Sequence, residues 1–238
     1  MGEVAIGSHV YIVCSDQSRN GKTLFARLYA DCLSLADADR VRVFDTDFPN
    51  GGLAHFFPDN SEIIDLARTG DQVRLFDTII EEPGFHYVID LQASLLNRFF
   101  KIFHDIAFDE GALEAGIGTA VFFIVDRSMS SISAAEKVRA QMTCSEFIMV
   151  RNDAIGTLLH LPSAAENYLR IEKNRDLILP KLSPSALSFV EQKGFTFSDF
   201  ISGDLVQPSN TVRAELWKFL ETIYNQRSDG GSGTTLLI

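Results

Sequence analysis

A chain of 238 residues that is 46% hydrophobic, with 22% charged side chains and 19 Phe, has a globular composition with enough apolar material for one large core. The formal net charge of -11 argues against a protein that grips nucleic acid by phosphate neutralisation, which normally presents a basic face. Cys14, Cys32 and Cys144 are scattered without metal-ligand spacing, no apolar run reaches bilayer length, and the first residues lack the pattern of a signal peptide. The expectation is a cytoplasmic protein with reduced thiols.

Short β-branched runs alternate with longer helical patterns along the chain. His9–Cys14 is the first expected strand, and Lys22–Ala38 follows with apolar residues at helical spacing. Val41–Phe44 ends at Asp45 as the second strand, and Asp71–Glu82 is helical with Val73, Phe76 and Ile80 on one face. Tyr87–Asp90 is the third strand, with a helical stretch over 95–108 behind it. Ala120–Val125 reads as a strand buried on both faces, Ser130–Gln141 as a helix, and Phe147–Val150 as the fifth strand. Asp176–Leu179 is a short sixth strand before Pro180, and helices over Pro184–Gln192 and Thr211–Gln226 close the pattern. Strand–helix alternation at this spacing predicts an α/β fold: a doubly wound, mostly parallel sheet with helices on both faces. The expected organisation is one domain over 1–227 and a flexible Gly/Ser-rich tail over 228–238.

The strongest local signal is Asp16-Gln-Ser-Arg-Asn-Gly-Lys-Thr23, between an expected strand and an expected helix. The P-loop pattern G-x-x-x-x-G-K-[ST] belongs in that context, because backbone N–H groups and a helix N-terminus cradle phosphates. Gly21, Lys22 and Thr23 match; Asp16 stands where the first glycine would be. A bare Gly-Lys-Thr is also an ordinary helix start, so the acidic motifs downstream matter. Asp45-Thr-Asp47 ends the second strand, and Asp90 ends the third. In open α/β sheets ligands bind outside the carboxyl ends of the strands, where these acids fall.

With the three motifs in this order, the chain resembles the ParA/MinD family of deviant P-loop ATPases over roughly residues 8 to 155. The resemblance implies a P-loop NTPase fold of the SIMIBI type with ATP and Mg²⁺ as cofactors. Ser18, Arg19, Asn20, Gly21, Lys22 and Thr23 would line the phosphates, with Lys22 on the β and γ groups. Thr23 would ligate the metal and Asp90 would hold it through water. Asp45 would orient the attacking water, with Asp47 beside it in the same switch segment. Asn152, after the fifth strand, would read the adenine edge, although Asn is equally at home as a turn residue. The family's signature lysine falls at Gln17, which carries no charge, and the amide of its Asp-x-Asp segment is nearest to Asn50. Loss of a cation at phosphoryl transfer makes nucleotide binding better supported than fast hydrolysis.

The resemblance further implies an ATP-dependent homodimer, an unidentified protein partner or cargo adaptor, and a part in positioning plasmids, chromosomes or protein clusters. Weak DNA contact would use Arg170, Lys173, Arg175 and Lys181, but Glu172 and Asp176 interrupt them and a solvated helix face fits better. The last helix has too few basic residues on its polar face for a membrane anchor. Two other classes stay open: a P-loop ligase of the dethiobiotin synthetase or cobyrinate amidation type, and a degraded P-loop module that binds partners without turnover. The closing Thr234-Thr-Leu-Leu-Ile238 has the makings of a short docking peptide or of a frayed end.

Overall fold

The structure is a computed structural model that describes residues 6–126, 128–156, 176–204 and 208–228. The tail over 229–238, and the basic segment Leu169–Lys181 up to residue 175, lie outside the described residues. At the centre is β1 (Ser8–Cys14), paired with β4 (His86–Asp90) on one side and β5 (Ile117–Val125) on the other. Beyond β4 come β2 (Val41–Asp45) and β3 (Ser61–Ile63); beyond β5 come β6 (Glu146–Asn152) and β7 (Asp176–Leu179). The order β3-β2-β4-β1-β5-β6-β7 is parallel at every pairing.

Strand side chains alternate between faces, and both faces are covered, so the central strands read as unbroken apolar runs. Tyr11, Val13, Val43, Val88, Phe122, Ile124 and Val150 face one layer. That layer is α1 (Lys22–Asp37), α6 (Pro184–Val190), α7 (Phe197–Ser202) and α8 (Asn210–Ser228). Val10, Ile12, Cys14, Ile89, Val121, Phe123 and Met149 face the other. It consists of α2 (Thr69–Glu81), α3 (Leu96–Asp105), α4 (Phe108–Glu114) and α5 (Met129–Arg139). Among the described residues no helix is long and apolar enough to cross a membrane.

The expected fold class holds, and the sheet is wholly parallel among the described strands. Three elements depart from the sequence expectation. β3 is three half-buried residues on the sheet edge, in register with Val43–Asp45, too short to show a period. The helix expected over 95–108 stops at Asp105; Ala107 adopts φ 50° and the chain restarts as α4. α7 is a six-residue helix set by its cap, because the Thr196 hydroxyl accepts the Asp199 amide at 3.0 Å.

Candidate functional site

β1 leaves the sheet between two strands, so the chain must turn at their carboxyl edge before α1 begins. Ser15 to Gly21 make that turn. Gly21 caps α1 with φ 95°, a conformation that costs glycine nothing and strains any other residue. A Cβ there would also lie 2.5 Å from Asn152 Nδ2. Gly21 has no side chain with which to cap α1, and the first-turn N–H groups carry the positive end of the helix dipole. Arg19 sits at the exposed tip with φ 60°, beside exposed Gln17 and Ser18.

Under the tip, the loop is braced. Asn20 is buried and its Nδ2 donates to Ser15 Oγ and to the Ile124 carbonyl at 3.3 Å. Asn152 Nδ2 donates to the Asn20 carbonyl at 2.8 Å, and Asn152 Oδ1 accepts the Ala154 amide at 2.9 Å. Nδ2 of Asn152 thus holds the loop against β6, while Oδ1 serves the turn that follows the strand. Asp16, at the first-glycine position, has its oxygens occupied: Ser131 Oγ donates to Oδ1 at 2.6 Å and Gln17 Nε2 to Oδ2 at 3.2 Å. An acid replaces a glycine here because α5 supplies it with a hydroxyl.

Lys22 is only 8% exposed, and its ammonium donates to the Gln17 carbonyl at 2.7 Å and Asn20 Oδ1 at 3.5 Å. It is therefore curled inside the loop. Burial lowers its pKa, and the charges of Asp90, Asp16 and Asp47 oppose that shift. Thr23 Oγ1 donates to Asp90 Oδ2 at 2.6 Å, tying the start of α1 to the end of β4. Burial holds the Asp90 carboxyl up to about 6; the Thr23 hydroxyl and Lys22 act against this, and Asp45 and Asp47 add to it.

Asp45 is fully buried, and its carboxylate serves the backbone that follows it. Oδ1 accepts the Asp47 amide at 2.9 Å; Oδ2 accepts Gly52 at 2.6 Å and Ala54 at 2.9 Å. This folds 47–54 back so that Gly52 lies over Thr23, a Cβ on it falling 3.7 Å from Thr23 Oγ1. Gly51 makes the turn with φ 69°. Asp47 stands outside and accepts Gln92 Nε2 at 2.9 Å. Thr46 completes a latch between the segments after β2 and β4: its hydroxyl donates to the Asp90 carbonyl at 3.1 Å and accepts the Gln92 amide at 2.8 Å.

The residues singled out from the sequence therefore gather at one edge of the sheet. Lys22, Thr23, Asp45, Asp47 and Asp90 form one connected cluster, with Asn20 and Asn152 as its braces. Thr46, Gln92, Ser15 and Ser131 join them unforeseen. Their one sequence signal is position, since Ser15, Thr46 and Gln92 fall just past the ends of β1, β2 and β4.

The cluster fits a magnesium–phosphate ligand. An uncapped helix start and a buried ammonium offer positive charge to phosphate. A hydroxyl and a carboxylate in contact offer the hard oxygens that Mg²⁺ takes alongside phosphate and water.

Two outcomes test this geometry. Gly21→Ala should destabilise the protein by about 1–3 kcal/mol in urea unfolding, and Asn152→Ala in the same chain should recover part of that loss by removing the clash. Strict additivity of the two changes would contradict the close approach. The folded pKa of Asp90 stands above its ordinary 3.8, so the fold binds its proton more tightly than the unfolded chain does. The burden of the buried charge grows as pH rises from about 4 to about 6 and is complete above that. In magnesium-free buffer Asp90→Asn should therefore stabilise the chain more at pH 8 than at pH 4, by about 1–3 kcal/mol. Equal effects at both pH values would contradict the assignment.

No family model and no curated protein matches the chain. Among solved structures, it is similar to a nucleotide-binding protein from Archaeoglobus fulgidus in complex with ADP, at 16% identity and a TM-score of 0.47 over 81% of this chain and 92% of that one. It is also similar to the MinC:MinD cell division protein complex of Aquifex aeolicus, at 12% identity and a TM-score of 0.43 over 95% of this chain and 99% of that one. Likeness at this level carries no functional argument, and the site stands on its own geometry.

Proposed function

We propose that this chain binds ATP with Mg²⁺ at the loop 16–23 and works as a nucleotide-dependent switch. The observation that carries the reading is the contact of Thr23 Oγ1 with Asp90 Oδ2 beside a buried, inward-curled Lys22 at the head of an uncapped helix. Lys22 exchanges its two loop acceptors for phosphate oxygens, a move within the reach of its side chain. Thr23 and Asp90 would hold the metal. Bound Mg²⁺ supplies charge neutralisation of the phosphates.

A switch requires that occupancy change a surface. The segment 47–54 lies over Thr23 and hangs from Asp45, and the Thr46 latch joins it to Gln92 after β4. A ligand seated against the Thr23–Asp90 contact would press on both segments at once. ATP-dependent homodimerisation across this face, and a protein partner that reads it, follow from the family resemblance and belong to the same proposal, as does the positioning of cellular or plasmid cargo. Turnover is expected to be slow. Gln17 offers no cation, and Asp45 spends both carboxylate oxygens on amides, which leaves little to activate water.

Lys22→Ala tests the reading. Calorimetric titration of the parent with ATP and Mg²⁺ should show saturable binding, and the variant should bind at least tenfold more weakly, since it loses a charge-assisted contact of about 1.5–3 kcal/mol. Equal affinity of parent and variant would sink the phosphate site. No binding by the parent would favour a module that has lost its ligand.

A further inference from the structure

Away from the sheet edge that carries this site, α1, α7 and α8 leave an apolar groove of about 380 Å³. Leu28, Leu35, Ile201, Trp217, Leu220 and Tyr224 line it, with Glu221 as its one charged wall. Leu35 is 39% exposed, Trp217 42% and Tyr224 61%. Large apolar side chains concentrated in one concave patch mark a docking surface. The groove shares no lining residue with the candidate nucleotide site.

We propose that the segment Thr234-Thr-Leu-Leu-Ile238 of the same chain occupies this groove. Three observations point to that occupant. The first is chemistry: the segment carries three large aliphatic side chains and no charged side chain, which suits a cleft walled mainly by aliphatic residues, one indole and one phenol. The second is length. α8 ends at Ser228, and Tyr224 and Trp217 lie four and eleven residues back along it, about 6 and 16 Å at the helical rise. Leu236 lies eight positions beyond Ser228, for a root-mean-square span of about 15 Å in a glycine-rich chain and a limit of about 26–29 Å when extended. The linker's natural span thus matches the distance to be covered, the condition under which effective concentration is greatest. The third is the linker itself. Gly230-Gly-Ser-Gly233 permits the reversal of direction that a return along α8 demands.

The docked segment covers the outer face of α1, the helix whose first turn carries Lys22 and Thr23. A partner that binds this groove must displace the tail, so the tail acts as a built-in competitor.

Trp217 is the only tryptophan in the chain, so its fluorescence reports on the groove alone. Two variants are compared with the parent: a chain ended after Ser228, and the full chain carrying Leu236→Asp with Leu237→Asp. Both should shift Trp217 emission to longer wavelength and raise its quenching by acrylamide, and a synthetic peptide Gly-Gly-Ser-Gly-Thr-Thr-Leu-Leu-Ile should reverse the change in the shortened chain. If the shortened chain loses its circular dichroism, the full-length double variant still decides the matter. Emission and quenching unchanged in the double variant would overturn the proposal. A parent signal that varies with protein concentration would overturn it in favour of a second copy in the groove. Neither outcome touches the nucleotide site.

Discussion

The constraint on which the rest depends is the double burial of β1. Neighbours pair with it on both sides, and helices cover both faces, so the chain can leave it only at the carboxyl edge of the sheet. The turn made there is held in an otherwise unfavourable shape by glycine at 21 and by the amides of Asn20 and Asn152. A lysine that would be solvated on a surface helix is instead drawn into the turn. The cost of its burial is offset by the Gln17 carbonyl and by the nearby carboxylates.

Charge decides what this edge can do. The Lys22 ammonium lies in the field of Asp90, Asp16 and Asp47, and both Asp45 and Asp90 are buried. Asp45 resolves its charge with three backbone amides. Asp90 has a single hydroxyl and stays close to protonation at mildly acidic pH. The imbalance leaves Asp90 the less compensated of the two buried acids at this edge. The same three amides let Asp45 shape the 47–54 loop.

Much of this was legible in the sequence. Short β-branched and aromatic runs such as Val121–Val125 read as strands covered on both faces, so the sheet was readable, and the acids Asp45 and Asp90 marked strand ends. Less legible was anything whose signal is a contact. β3 has three residues and owes its existence to its pairing with β2. The break at Ala107 is one residue in a left-handed conformation. Asp16 looked hostile to an anion site, because Ser131, 115 residues away, gives no hint that it will bind one oxygen. The bracing bond of Asn152 was equally hidden, because the Asn20 carbonyl it binds lies 132 residues away. Spacing along the chain locates a site; it does not say which of its polar groups are already spent.

Hydrogen exchange with and without ATP and Mg²⁺ tests the central claim most directly. The account predicts slowed exchange in two separated segments, the loop and first turn of α1 over 16–25 and the latch over 45–54. Amides in the core of α3 and α5 should not change. Protection confined to one segment would contradict the connected Thr23–Asp90–Thr46 cluster, and no protection in either would contradict the nucleotide site itself.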